Sequence, residues 1–348
     1  MGKTLHNKIN KLELQEALMN EPFERITLSF YQYAHIGNTK LFRDHFFILL
    51  DSINVFGRIY VANEGVNGQV SVPKHHIEKF REKMNQIVFL KDIRLNYAID
   101  DDGKSFIKLM IKIRNKIVAD GLNDGSFDVT NKGIHINASE FNELVDSQKA
   151  IVVDMRNHYE SEVGHFKDAI TPDVATFREA LPFVEEMLED KKEQPIIMYC
   201  TGGIRCEKAS AYYKHRGFKN VYQLEGGIIE YARQVEKNSL DNKFVGKNFV
   251  FDDRLGERIS EDIIAKCHQC GKPSDDHTNC ANDACHILFI QCKECAEKHE
   301  ACCSKKCQDF NKLPQEERLI RRASEQFNGT KFGKGRYKAH HKDEDLQV

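Results

Sequence analysis

Hydrophobic and polar positions along the first third of the chain alternate between two periods. "RITLSFYQY" repeats every second residue and predicts a strand, whereas "TKLFRDHFFILLDSI" places apolar residues three and four apart and predicts a helix. "GRIYVA" and "GQVSV" read as two more strands joined by "NEGVNG", followed by a helix, "HHIEKFREKMNQI", and another strand, "DIRLNYA". After a short N-terminal helix in residues 1–21, the order strand-helix-strand-strand-helix-strand predicts a ferredoxin-like split βαβ unit over 22–130. "FIKLMIKIRNKIVA" reads as the segment that leads out of it. Within "NEGVNG", Asn67-Gly68 suits the positive φ angles of a hairpin turn. Substrate contact by Glu64 or Asn67 is the other use those residues allow.

The pattern changes over 131–240. "AIVVDMR" and "QPIIMYC" are continuous apolar runs of the kind a strand covered on both faces requires, and "FREALPFVEEMLED" between them is helical. A helix at 207–216 and the strand "NVYQL" repeat the alternation, which predicts an open, largely parallel α/β sheet. Ligands on such sheets sit beyond the carboxyl ends of the strands, and Cys200 stands at one.

Charge and composition then narrow the functional classes. The 348 residues carry 51 Lys and Arg against 53 Asp and Glu, so affinity for nucleic acid requires local patches. No apolar run has membrane-spanning length, and lysines interrupt the N-terminus where a signal peptide needs an apolar core. A cytoplasmic protein with no membrane partner is expected. Of 11 cysteines, two stand at 200 and 206 and the rest crowd into 267–307. In a reducing compartment such a cluster points to metal.

The Cys200 loop has the features of a nucleophile site. After the strand, Thr201, Gly202, Gly203 and Ile204 form a turn whose backbone N–H groups can converge on one anion, and the next helix adds its positive end. Arg205 supplies a full charge at the rim. Together these favour a thiolate, or a persulfide, on Cys200. Cys206 either resolves an oxidised Cys200 or packs in the core. The C-x4-R spacing is one residue shorter than the phosphate-wrapping C-x5-R turn of cysteine phosphatases, which leaves a tighter concavity.

The clustered cysteines pair as Cys267-x2-Cys270 and Cys292-x2-Cys295, with Cys280, Cys285 and Cys307 interleaved. Interleaved pairing predicts one four-thiolate site from Cys267, Cys270, Cys292 and Cys295. A second uses Cys280, Cys285, Cys307 and one of Cys302 and Cys303, with Cys303 the working choice; His277, His286 and His299 are possible substitutes. About two structural zinc ions follow, stapling a module at 241–310 that has few large apolar residues. No haem, flavin or other organic cofactor motif is identifiable. The tail, 311–348, carries eight Lys or Arg against one Glu between Arg318 and Lys342, with Phe327, Phe332 and Tyr337 interspersed. It reads equally as a solvated terminus or as an RNA contact.

The series Asp154-x-Arg156, Tyr159-Glu160, Gly164-His165-Phe166, the cysteine loop and Gly226-Gly227 resembles a rhodanese domain. Rhodanese domains carry sulfur as a persulfide on the loop cysteine, here Cys200. With the ferredoxin-like unit in front and the cysteine-rich module behind, nearly the whole chain resembles the bacterial tRNA uridine hydroxylase family. The expected architecture is therefore α/β and α+β multidomain: a ferredoxin-like domain, a rhodanese-like domain and a zinc-stapled module. The resemblance implies oxygen-dependent conversion of the wobble uridine to 5-hydroxyuridine, with molecular oxygen as co-substrate, the tRNA anticodon loop as partner and Cys200 essential. It also moves the basic tail towards RNA. A sulfurtransferase served by a persulfide donor protein is the first alternative, and a non-catalytic rhodanese and zinc adaptor the second.

Overall fold

The computed structural model describes residues 10–99, 103–122, 127–129, 131–252, 254–322, 324–329 and 337. The N-terminal part begins with helix α1 (Lys11–Met19) and continues through β1 (Arg25–Tyr33), α2 (Thr39–Asp51), β2 (Phe56–Ala62) and β3 (Gly65–Pro73). Helix α3 (Ile77–Asn85), β4 (Asn96–Tyr97) and β5 (Leu109–Ile113) complete it. The sheet order is β4-β1-β3-β2-β5, antiparallel throughout except for the parallel β2–β5 pair. One face is the core, where Leu28, Phe30, Ile59 and Val70 pack against Phe46, Leu50 and Phe80 of the helices. The alternate residues of the same strands, among them Ser29, Tyr31, Tyr60 and Gln69, line a cavity on the other face.

The rhodanese-like part contains β6 (Ile134–Ile136), α4 (Ala138–Asp146), β7 (Ile151–Asp154), α5 (His158–Ser161), β8 (Gly164–Phe166) and α6 (Phe177–Met187). It ends with β9 (Ile196–Tyr199), α7 (Ile204–His215), β10 (Val221–Leu224) and α8 (Gly227–Asn238). Its four-stranded sheet runs β6-β10-β9-β7, all parallel. Both faces are covered. Ile196 and Met198 join the core beneath α6 and α7, while Ile197 and Tyr199 join the one beneath α4 and α8. That double burial is why these strands read as unbroken apolar runs.

Strand β11 (Phe244–Asn248) then pairs with β8, and β12 (Glu257–Arg258) with β11, so the chain after residue 240 first closes on the rhodanese-like part. The cysteine module follows, with the hairpin β13 (His277–Asn279) and β14 (Leu288–Ile290) and helices α9 (Lys293–Lys298), α10 (Lys305–Asn311) and α11 (Gln315–Arg321). Its core is largely sulfur: Cys280, Cys285, Cys302, Cys303 and Cys307 with Ile287 and Phe289.

Several local expectations are revised. The turn between β2 and β3 is Asn63-Glu64, because Val61 pairs with Val66 and Ala62 with Gly65. Asn67 and Gly68 lie inside β3, paired on both sides with β1 and β2, so pairing with two neighbours overrides the local turn signal. "DIRLNYA" contributes only two residues of strand. The segment expected to lead out of the unit supplies β5 as an edge strand, and Leu109 and Ile111 complete the apolar face. Helix α7 spans Ile204–His215, beginning three residues before the 207–216 read from the pattern. The tail holds α11 up to Arg321, and most of its basic residues lie outside the described residues.

Candidate active site

Strand β9 ends at Tyr199 and α7 begins at Ile204, so residues 200–203 make a tight crossing from strand to helix. Gly203 takes φ +95° at the helix N-cap, and a Cβ there would lie 2.9 Å from the Tyr31 hydroxyl. Only glycine fits both the angle and the contact. The turn aims the Gly203 N–H at Cys200 Sγ, 3.1 Å away. Gly227 supports the turn from behind: a Cβ on it would meet the Cys200 carbonyl oxygen at 2.4 Å. The N–H groups of Ile228 and Ile229 donate to the carbonyls of Cys200 and Thr201.

Burial opposes charge on Cys200, yet a hydrogen bond from the Cys206 thiol, the Arg205 charge and the backbone N–H groups of Arg205 and Cys206 outweigh it and lower its pKa to about 6. Cys206, buried beside that sulfur, is pushed the other way, by burial first and then by its bond to Cys200. At neutral pH the pair is thus a thiolate held by a thiol. Arg205 is not free at the rim. Its guanidinium grips Glu160 through both oxygens, at 2.7 and 2.8 Å, and reaches Thr201 Oγ1 at 3.4 Å. Burial raises the Glu160 carboxyl, but Arg205 overrides that and holds it below the usual carboxylate range. A second buried pair, Arg156 with Asp154, also bonds the Gly164 carbonyl and fixes the end of β7 nearby.

A cavity of about 430 Å³ opens over this loop. Cys200, Thr201, Gly202, Ile204 and Arg205 line one side, and Ser29, Tyr31, Tyr60, Asn67 and Asn96 of the five-stranded sheet line the other. Val250, Arg254 and Glu257, from the stretch leading to the cysteine module, close a third side. Asn96 Nδ2 donates to the Gly202 carbonyl at 3.4 Å, and Tyr33 Oη to that of Ile204 at 3.5 Å. Glu64 is drawn away from the cavity: it bonds Lys208 Nζ at 2.5 Å, which also pairs with Asp120. Asn67, by contrast, remains a lining residue. Sequence reasoning missed Glu160 as the partner of Arg205, and missed Tyr31 and Asn96. The period-two pattern of β1 already set Ser29 and Tyr31 on the face opposite Leu28 and Phe30, whereas nothing local tied Glu160 to Arg205 across 45 residues.

Away from the cavity, Cys267, Cys270, Cys292 and Cys295 form one group of thiols, and Cys280, Cys285, Cys303 and Cys307 another. Within each, the four sulfurs lie within 4.8 Å of one another. The separations Cys270–Cys292, Cys285–Cys303 and Cys303–Cys307 are 3.6, 3.7 and 3.6 Å. A tetrahedral ion with bonds of about 2.3 Å separates its sulfurs by about 3.8 Å, so both groups fit a metal such as zinc. Neither group includes Cys302, His277, His286 or His299.

Three domain models match the chain: an acylphosphatase-like domain (UPF0176) over residues 25–117, a rhodanese-like domain over 137–234 and a rhodanase C-terminal domain over 245–308. Over 335 residues the chain is 52% identical to a tRNA uridine(34) hydroxylase of Photorhabdus laumondii, covering 96% of this chain and 95% of that protein. The chain belongs to the tRNA uridine(34) hydroxylase family. A second hydroxylase of that name, from Yersinia enterocolitica, is 54% identical over 333 residues and 94% of each chain. The hydroxylase family is one of enzymes. Among the described residues, no helix is long and apolar enough to cross a membrane.

Proposed function

We propose that this chain hydroxylates C5 of the uridine at position 34, the wobble base of the tRNA anticodon loop, with Cys200 as nucleophile and molecular oxygen as the source of the hydroxyl. The observation that carries this reading is the cavity: about 430 Å³, with a low-pKa thiol on one side and the polar face of a sheet on the other. A plain sulfur carrier needs room for one sulfur atom, whereas this space suits a nucleobase. A base in a single-stranded loop enters such a pocket at small unstacking cost.

The Cys200 thiolate adds to C6 of the uracil, and the electron pair of the ring double bond moves onto C5 and the O4 carbonyl as an enolate. C5 then attacks molecular oxygen to give a C5 hydroperoxide, which two external thiols reduce to the C5 hydroxyl and water as they couple to a disulfide. The C5 hydrogen leaves as a proton, and the C6–S bond breaks to restore both the ring and the thiolate. Thr201, Gly202 and Ile204 contact the base in this reading. Arg205 is a positioning residue, because its guanidinium is held by Glu160 and acts on the sulfur through its charge. Arg205→Ala therefore lowers the chemical step more than tRNA affinity. The two cysteine groups each hold a structural zinc; four thiolates complete its coordination and leave no position for a substrate. A tRNA substrate makes the cytosol the proposed compartment.

The test is to incubate the protein with U34-containing tRNA under ¹⁸O₂ and analyse the nucleosides by mass spectrometry. Labelled 5-hydroxyuridine from the native protein, and none from Cys200→Ala, is expected. An unlabelled product, or an active Cys200→Ala protein, overturns the corresponding step. The cradle around Cys200 would equally stabilise a persulfide, which favours sulfur transfer as the second reading. In that case the same assay with a persulfide donor protein yields a thiolated base.

A further inference from the structure

We propose that the outer face of the five-stranded sheet, beyond the cavity, is the dock for the anticodon-loop backbone: Arg58, Lys112 and Arg114 take phosphates, and Tyr60 stacks a base that flanks position 34. The proposal rests on the hydroxylation reading above and adds to it the surface that brings the substrate to the thiol.

Four observations lead there. Arg58 and Tyr60 sit two residues apart on β2, so their side chains leave the sheet on the same face, and both line the cavity. Lys112 of β5 stands directly beside Tyr60 in the parallel pairing, and the Arg114 guanidinium lies 5.5 Å from the centre of the Tyr60 ring. Arg58, Lys112 and Arg114 are all exposed. None has a carboxylate partner among the described residues, while neighbouring cations such as Lys116, Lys208 and Arg254 are bound in ion pairs. Unpaired cations clustered at one sheet edge keep their full attraction for an anionic strand.

The arrangement favours RNA over an acidic protein partner. Arg58 and Tyr60 line the cavity that Cys200 also lines, and Lys112 and Arg114 stand beside Tyr60, so a strand held by these cations can drop one base inward while its phosphates stay outside. A half-buried tyrosine beside the cations is the element that stacks a neighbouring base. The chain is near neutral as a whole, with 51 basic and 53 acidic residues, so binding depends on such a local patch.

The experiment measures binding of a fluorescent anticodon stem-loop by anisotropy across a salt series. Lys112→Gln with Arg114→Gln should weaken binding about tenfold and flatten the log–log salt slope by about 1.4, the value for two single-strand phosphate contacts; adding Arg58→Gln should bring the change to about 2. Tyr60→Ala should weaken binding about tenfold with the slope unchanged, as expected for loss of stacking. Thermal melts and the rate of Cys200 alkylation establish that Lys112→Gln/Arg114→Gln remains folded with its site intact. Affinity and slope unchanged in that folded variant overturn the dock. A native protein that binds through these residues yet forms no 5-hydroxyuridine overturns the hydroxylation reading and leaves the dock standing. A native protein that does not bind the stem-loop overturns both.

Discussion

Cys200 carries its charge because its neighbours outweigh its burial. With a pKa lowered to about 6, the sulfur is a thiolate above that pH and a thiol below it. Its alkylation by iodoacetamide should therefore rise through pH ~6 and level off near neutrality, whereas an ordinary cysteine has its midpoint near ~8.5. Hydroxylation should fall away on the acid side of the same midpoint. Mass-spectrometric quantitation of the modified Cys200 peptide checks this; a midpoint above pH 8 would remove the thiolate from the mechanism. Glu160 makes the opposite point about legibility. The glycines, Cys200 and Arg205 are contiguous and could be read together, but the carboxylate that restrains Arg205 stands on another element. Glu160→Gln leaves a buried guanidinium without its counter-charge and should cost about 3–5 kcal/mol, read by denaturant melts. Because the native Glu160 pKa is lowered, its contribution is present above the ordinary carboxylate range and lost as pH falls through the folded value. The difference between native and variant stability should shrink in acid.

Elements are most legible in the sequence where one period persists. Strand β1 runs from Arg25 to Tyr33, the limits its alternation suggested, and α2 begins at Thr39 as its pattern did. The structure departs from the sequence pattern where local signals meet tertiary pairing. Asn67-Gly68 has the composition of a turn, yet both residues are held between two strands. A related constraint couples α8 to the catalytic loop, since Gly227 at φ +65° packs directly on the Cys200 carbonyl. Gly227→Ala should cost at least about 1–3 kcal/mol from the backbone angle alone, and the close contact should displace the loop as well. The expected signature is a lowered melting temperature together with slower Cys200 alkylation. A variant that melts earlier but reacts at the native rate would show that the loop does not depend on this turn.

At the scale of the whole molecule, the division into three parts was visible from shifts in periodicity and cysteine content, but the way they join was not. Arg233 donates to the Tyr97 and Ala98 carbonyls, Lys208 bridges Glu64 and Asp120, and Glu257 accepts the Ile99 N–H. Contacts between residues this far apart along the chain leave no local trace in sequence. The cysteine module is the part least able to stand without help, because sulfur makes up most of its core. Freshly purified, reduced protein should contain about two zinc ions per chain. Chelation should strip hydrogen-exchange protection from residues 277–307 while β7, β9 and β10 keep theirs; simultaneous loss everywhere would mean the metals hold the entire chain together.

The enclosure of Cys200 has a kinetic corollary. Its side chain is 0% exposed, and Asn96 and Tyr33 of the N-terminal part reach across to the carbonyls of its loop. A small reagent can approach through the cavity, but a maleimide whose substituent is larger than the cavity should react only when the two parts separate. With excess maleimide the modification rate should become independent of reagent concentration and equal the rate of separation. The thiol then serves as a clock for breathing between the two halves of the site. Mutating Lys208 to Met, which removes the cation shared by Glu64 and Asp120, should make that clock run faster.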